Sequence, residues 1–272
     1  MKEYKEHYVA FLDILGFKQL IGTQECEEIY KIFDELHNKS SATLNLNGVQ
    51  IRAYEHIKHI ILSDSIVLFI ESDIDDAFAT LIDICGRLQN SLANRDEPIL
   101  MRGGIAKGDL FYEDGIIYGE GLTKAYLLES KLARFPRIVF SGDTLESGKQ
   151  NAKYLFVQLE GISKPYKLDD DFLYYIDYFI DQFFVFDNSV LYFDRLLNLC
   201  EKWLNKEIDS NLREKYIWLK KNVEKSIPIL SGVNEIYKKR KQEKSENETK
   251  EYNEKFKIFG DNALKIEIVE IK

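Results

Sequence analysis

Apolar and polar positions along the chain change period from block to block, and each change predicts an element. Residues 7–17 (HYVAFLDILGF) form an apolar run that ends near Gly16, which predicts a buried strand. Asp13 is the one acid inside it. Over 24–38, Ile29, Ile32, Phe33 and Leu36 recur at helical spacing and predict one apolar helix face. Residues 52–72 read as two strands hinged at Ser63-Asp64-Ser65. A helix follows over 73–95, with Asp73 as its expected N-cap and Ala77, Leu81, Ile84 and Leu88 on its apolar row. Residues 101–119 predict a hairpin with its turn at Glu113-Asp114-Gly115. A helix over 119–135 stops at Pro136, and strands are expected at 137–141 and 154–160.

The resulting order is β-α-β-β-α-β-β-α-β-β. It predicts an α/β (α+β) sandwich, mostly antiparallel and close to a ferredoxin-like split βαβ pattern. The character changes after about residue 180. A catalytic-type domain is expected over 1–178. A mainly helical C-terminal extension is expected over 179–272, with helices over 188–225, an almost wholly polar segment at 238–257 and a strand-like tail. The aromatic stretch 172–186 is expected to pack these helices onto the sheet.

Composition narrows the function classes. The 272 residues carry 46 Asp and Glu against 37 Lys and Arg, a formal net charge of -9. This acidic balance argues against nucleic-acid binding, which needs a basic field. Cys26, Cys85 and Cys200 are far apart and form neither a disulfide framework nor a metal knuckle. The N-terminal segment does not read as a secretion signal, and 172–186 is too short and too acidic to cross a membrane. A cytoplasmic protein is expected.

Two acids stand out chemically. A carboxylate in an apolar strand is costly unless it is paired, hydrogen-bonded or metal-bound, and Asp13 is in that position. Asp64 sits at the tip of a strand-turn-strand. If the two strands are neighbours, both acids meet at one sheet end and form a hard oxygen site for Mn²⁺ or Mg²⁺. Two such ions suit a phosphoryl transfer.

The pieces FLDILGF (11–17), SDSI (63–66), RGGIAKG (102–108), GEGLTKAYLLE (119–129) and LEGISKPYKL (159–168) together resemble the class III nucleotidyl cyclase catalytic domain. The resemblance runs over about residues 7–170. It implies a lyase that closes a nucleoside triphosphate to a cyclic monophosphate with two metal ions, working as a head-to-tail homodimer with its sites at the interface. Carried over by position, Asp13, Asp64 and the Ile14 backbone would hold metal, and Asp13 and Asp64 would be catalytic. The backbone of Ile14, Leu15, Gly16 and Phe17 would cradle the triphosphate.

The departures are equally specific. The family's ribose-orienting Asn and transition-state Arg fall on Thr123 and Leu127. The missing cation would come from Lys131, Arg134 or Arg137. The position of the family's triphosphate-binding Arg holds Asp109, which leaves Lys107 or Lys164 for that role. The base-reading Lys and Asp of adenylate cyclases fall on Ile60 and Ile116, and His56 becomes a base-contact candidate. This pattern is most similar to the pyrimidine cyclases of bacterial Pycsar antiphage systems, through the short opening strand, the S-D-S hairpin and the exit from Ala133 to Ile138. The implied product is cyclic UMP or cyclic CMP, read by a separate cyclic-nucleotide-activated effector. A purine cyclase, or a degenerate domain that binds nucleotide without turnover, are the alternatives.

Overall fold

A computed structural model describes residues 2–40, 43–46, 49–51, 55–153, 164–179, 189–245 and 266–269. The apolar N-terminal run becomes β1 (Lys5–Ile14), the strand around which the sheet is built. It pairs antiparallel with both β5 (Ser65–Glu71) and β6 (Met101–Glu113), which makes it a central strand, and apolar layers on either side bury both its faces. This explains why its sequence is apolar at nearly every position rather than at alternate ones. Its even-numbered residues, Tyr8 to Ile14, join the core beneath α3 (Ala77–Ala93). Its odd-numbered residues Val9 and Phe11 join a second apolar layer beneath α4 (Glu120–Leu127). Asp13 has the parity of that second layer.

The remaining strands follow from the same pairing. β4 (Lys58–Leu62) forms a hairpin with β5 across Ser63-Asp64, with Ser63 at a φ of 56°. β7 (Ile116–Tyr118) folds back on β6 through Asp114 and Gly115, both at positive φ, the turn expected from their sequence. β8 (Ile138–Phe140), β9 (Tyr166–Leu168) and β10 (Tyr174–Ile176) complete an eight-stranded mixed sheet. Its order is β4-β5-β1-β6-β8-β10-β9, with β7 paired to β6 alone. Among the described strands only the β6–β8 pairing is parallel, so the fold is the α+β, mostly antiparallel one expected. A separate three-stranded sheet joins β2 (Thr43–Leu46), β3 (Val49–Ile51) and the tail strand β11 (Ile266–Val269).

Several elements differ from the sequence reading. A short α1 (Phe17–Thr23) precedes α2 (Cys26–Ser40), and α5 (Gly142–Gln150) follows β8. Residues 55–56 form a single tight turn, so β4 starts only at Lys58. Asp73 does not cap α3. Asp76 precedes that helix in the left-handed region, and its Oδ1 accepts the Lys153 amide at 2.9 Å. The expected strand at 154–160 lies outside the described residues, as does most of the polar segment beyond residue 245.

Helix α4 lies unusually close to β6, because both elements present small residues to one another. A Cβ built on Gly104 would stand 2.4 Å from Leu128 Cβ and 2.5 Å from the Ala125 carbonyl oxygen. The opposing carbonyl is backbone and cannot swing away. Gly104→Ala is therefore expected to lower stability by about 3 kcal/mol, read by thermal unfolding. A midpoint unchanged within 1 °C would show that the helix simply rides outward.

Two helices close the far side. α6 (Ser189–Leu204) and α7 (Ser210–Ser245) pack together. Tyr175, Tyr178 and Phe179 of the aromatic stretch lie in one core cluster with Tyr192, Leu196, Trp218 and Leu219, while Phe172 is exposed. Described aromatics of 172–186 thus do join the helices to the sheet, as expected; residues 180–186 lie outside the described range. None of the helices among the described residues is long and apolar enough to cross a membrane.

Candidate active site

The two acids singled out by the sequence meet where β1 ends. Register places Asp13 opposite Ser65 on β5 and opposite Arg102 on β6. The next amide, Ile14 N–H, donates to the Asp64 carbonyl at 3.0 Å, which clamps the hairpin tip to the end of β1. Asp13 and Asp64 are therefore neighbours because the β4–β5 turn and the β1 terminus share a hydrogen bond.

Asp13 is half-buried and is held by Arg102, whose Nε donates to Asp13 Oδ2 at 3.2 Å. The same guanidinium lies 2.7 Å from Glu129 Oε1. Glu129 is buried, in a π-helical turn (Leu128–Leu132) that extends α4. Burial raises the Asp13 pKa above the usual carboxylate range; Arg102 opposes that rise and the Asp64 charge adds to it. Glu129 is raised in the same way, by burial first, with Asp13 and Asp64 adding to the shift. Three acids and one arginine thus share a small volume at low dielectric, where like charges repel strongly.

Glu129 was not singled out from the sequence, yet a signal exists. Gly121, Ala125 and Glu129 fall four residues apart on one helical row. Gly108, Gly104 and Arg102 fall on one face of β6. The small residues meet each other, so the acid and the arginine at the same end must meet too.

The donor set suits a hard divalent cation. Asp13 and Asp64 supply two carboxylates at one place, and a cation between them relieves their mutual repulsion. Ile14, the third expected contributor, pairs with Met101 across β6. Among the described residues, no group of three or more His, Cys, Asp or Glu is gathered to hold a metal unaided. Substrate phosphates and water would fill the remaining positions.

The other expected site residues are placed as follows. The Ile14 and Leu15 amides are already donated, to Asp64 and Leu100 oxygens, so Gly16 and Phe17 are left as amide donors on that turn. Gly16 sits at a φ of 76°, a conformation that favours glycine. Lys107 lies on the opposite sheet face: it pairs with Glu6 at 2.8 Å and covers the Tyr8 ring. Lys107 pairs across to Tyr8, five residues before Asp13 and about 17 Å from it along the strand. The structure does not bring it to the two acids. Lys164 is exposed ahead of β9. Lys131 is exposed on the π-helical turn. Arg134 is exposed and pairs with Glu214 on α7 at 2.8 Å. Arg137 is fully buried against Asp169 and Asp171, which removes it as a source of the missing cation. Thr123 turns its hydroxyl back to the Gly119 carbonyl at 3.2 Å. Ile60 packs into the layer under α4, Ile116 is exposed at the far hairpin, and His56 is exposed on the turn before β4.

No family model and no curated protein matches the chain. Solved structures do resemble it. The monomeric guanylyl cyclase domain of the RhoGC fusion protein from the aquatic fungus Blastocladiella emersonii is 15% identical, with a TM-score of 0.48 over 65% of this chain and 96% of that one. The adenylyl cyclase CyaB from P. aeruginosa is 16% identical, with a TM-score of 0.41 over 65% of this chain and 95% of that one. A class III adenylyl cyclase-like ATP-binding protein from Pseudomonas aeruginosa is 8% identical, with a TM-score of 0.39 over 66% of this chain and 40% of that one.

Proposed function

We propose that the protein is a nucleotidyl cyclase that converts a pyrimidine nucleoside triphosphate, UTP or CTP, to its 3′,5′-cyclic monophosphate and pyrophosphate. The observation that carries this reading is the convergence of Asp13 and Asp64 at one sheet end, through the Ile14–Asp64 hydrogen bond. Asp13 and Asp64 would hold the divalent ions, Mn²⁺ or Mg²⁺. When bound, these supply charge neutralisation for the phosphates and a more acidic 3′-hydroxyl. Arg102 fixes the Asp13 carboxylate in its half-buried position, and Glu129 fixes Arg102. The 3′-hydroxyl loses its proton to solvent, its oxygen bonds to the α-phosphorus in line, the bond from the α-phosphorus to the α,β-bridging oxygen breaks, and pyrophosphate leaves with that oxygen. The protein's share is positioning and charge balance, as in other phosphoryl transfers.

Pyrimidine choice is supported by apolar Ile60 and Ile116 where a purine reader needs placed donors and acceptors. Ile116 lies opposite Glu113 on β6, eleven residues beyond Arg102 and about 37 Å along the strand. A second copy, packed head to tail, is what brings Ile116 and Thr123 to the acids. Exposed Leu62, Ile116, Tyr126 and Leu127 supply apolar surface for such a homodimer. The product would act on a separate cyclic-nucleotide-activated effector, in antiphage defence.

One observation favours a second reading, nucleotide binding without turnover: Leu127 stands where the family has its transition-state Arg, and Arg102 already neutralises Asp13. A single assay separates the readings. The full chain is incubated with ATP, GTP, CTP or UTP and Mn²⁺, and products are resolved. Cyclic UMP or cyclic CMP is the expected product. A cyclic purine nucleotide overturns the pyrimidine assignment, and pyrophosphate release from none of the four overturns the enzyme.

A further inference from the structure

A triphosphate brings several negative charges to a place that already holds three acids, so uncommitted positive charge is needed there. Four cations of the sheet domain are committed elsewhere, and Lys131 and Lys164 are exposed to solvent. Arg102 serves Asp13 and Glu129, Lys107 serves Glu6 on the other face, Arg137 is buried with Asp169 and Asp171, and Arg134 reaches out to Glu214.

The C-terminal helix α7 supplies another. Its first turns are pinned beside the site by independent contacts. Glu214 pairs with Arg134. Trp218 stacks on Phe135 with ring centroids 5.5 Å apart, and its indole N–H donates to Asp169 at 2.8 Å. Leu15, on the turn after Asp13, packs into the same apolar cluster as Leu212 and Leu219. Lys215 lies between these anchors and shares the inward row with Trp218, Leu219 and Asn222. It is partly buried, and among the described residues its ammonium makes no ion pair within salt-bridge distance. Burial first, then the Arg102 charge, lowers its pKa, while Asp209 and Asp13 hold it up, which places it in the field of the Asp13–Arg102 pair. A desolvated, unpaired cation is costly in a folded protein, and an arriving anion recovers that cost.

We infer that Lys215 is the phosphate-binding cation of the Asp13–Asp64 site, supplied by the helical extension rather than by the sheet domain. The ligand class is a polyphosphate, the triphosphate or the departing pyrophosphate. The inference rests on the nucleotide reading above and adds the residue that balances its charge.

The test uses the full chain and inorganic tripolyphosphate, titrated by calorimetry with and without Mn²⁺. Lys215→Ala is expected to weaken binding by about 10–100-fold, the size of one charge-assisted hydrogen bond. Lys215→Arg is expected to stay within about threefold. Lys220→Ala, one turn along the same helix, is expected to bind as the unaltered chain does. Thermal midpoints check that each variant folds. Lys215→Ala binding within twofold of the unaltered chain overturns the inference, as does an unaltered chain that does not bind tripolyphosphate. Turnover by the unaltered chain with an unchanged KM in Lys215→Ala sinks Lys215 alone. Tripolyphosphate bound through Lys215, without cyclic product from any nucleotide, sinks the cyclase reading and keeps the anion site.

Discussion

Asp13→Ala and Asp64→Ala are each expected to cut cyclic nucleotide formation by at least about 10³-fold, while the protein stays folded. The activity loss follows from the donor set. The two carboxylates converge through one backbone bond, and among the described residues the third acid placed beside them, Glu129, is engaged by Arg102. The retained fold follows from energetics. Burial disfavours the charged form of Asp13, so removing that carboxylate deletes a charge the interior tolerates poorly. The Ile14–Asp64 clamp uses the Asp64 backbone carbonyl and survives substitution of its side chain. Measured turnover of the preferred triphosphate, beside thermal unfolding, decides the matter. Activity within tenfold in both variants removes the acids from the chemistry. A collapse of folding in both makes their role structural.

A large loss of stability is expected on changing Arg137. Its guanidinium is fully buried, paired with Asp169 and Asp171, and stacked 5.2 Å from the Phe135 ring centroid, with Tyr175 and Trp218 also beside it. Asp169, Asp171 and Tyr175 come from β9–β10 and Trp218 from α7, so one side chain ties the sheet edge to the extension. Removing one partner of a buried pair costs about 3–5 kcal/mol. Here the acids are partly exposed and regain water, which points to the lower end. Arg137→Met, which keeps the apolar bulk, is expected to cost about 3 kcal/mol and to lower the thermal midpoint by about 6–12 °C. Arg137→Ala adds a cavity and is expected to cost more. A Met variant melting within 2 °C of the unaltered chain would contradict the buried pair's role.

Local chemistry was legible in the sequence where period and turn residues agree. β1, the β4–β5 hairpin and the Asp114-Gly115 turn are all of this kind. α5 was not, because Gly142 and Gly148 depress helix propensity and Gly148 is there for packing: a Cβ on it would stand 2.1 Å from the Phe78 ring. α1 is only seven residues long and offers too short a period to read. In the site, Asp13 and Asp64 stood out because an acid in an apolar run is conspicuous. Lys107 is five residues from Arg102 on one strand, so parity alone puts the two on opposite sides of the sheet within one chain. Lys215 had no local signature at all. It reads as one more charge in a charged helix, and only the docking of α7 onto Phe135 and Asp169 gives it a place.

That docking has an optical consequence. The chain has two tryptophans, Trp203 and Trp218, and both belong to the C-terminal helices. Trp203 stacks on Tyr216, and Trp218 stacks on Phe135 at the edge of the sheet domain. Intrinsic tryptophan emission therefore reports on the helical extension, whereas far-ultraviolet dichroism reports on the whole chain. If the two parts fold as one cooperative unit, both signals will trace a single denaturation curve. If the extension releases first, emission will shift at lower denaturant than ellipticity, and the spectrum alone will show the undocking of α7.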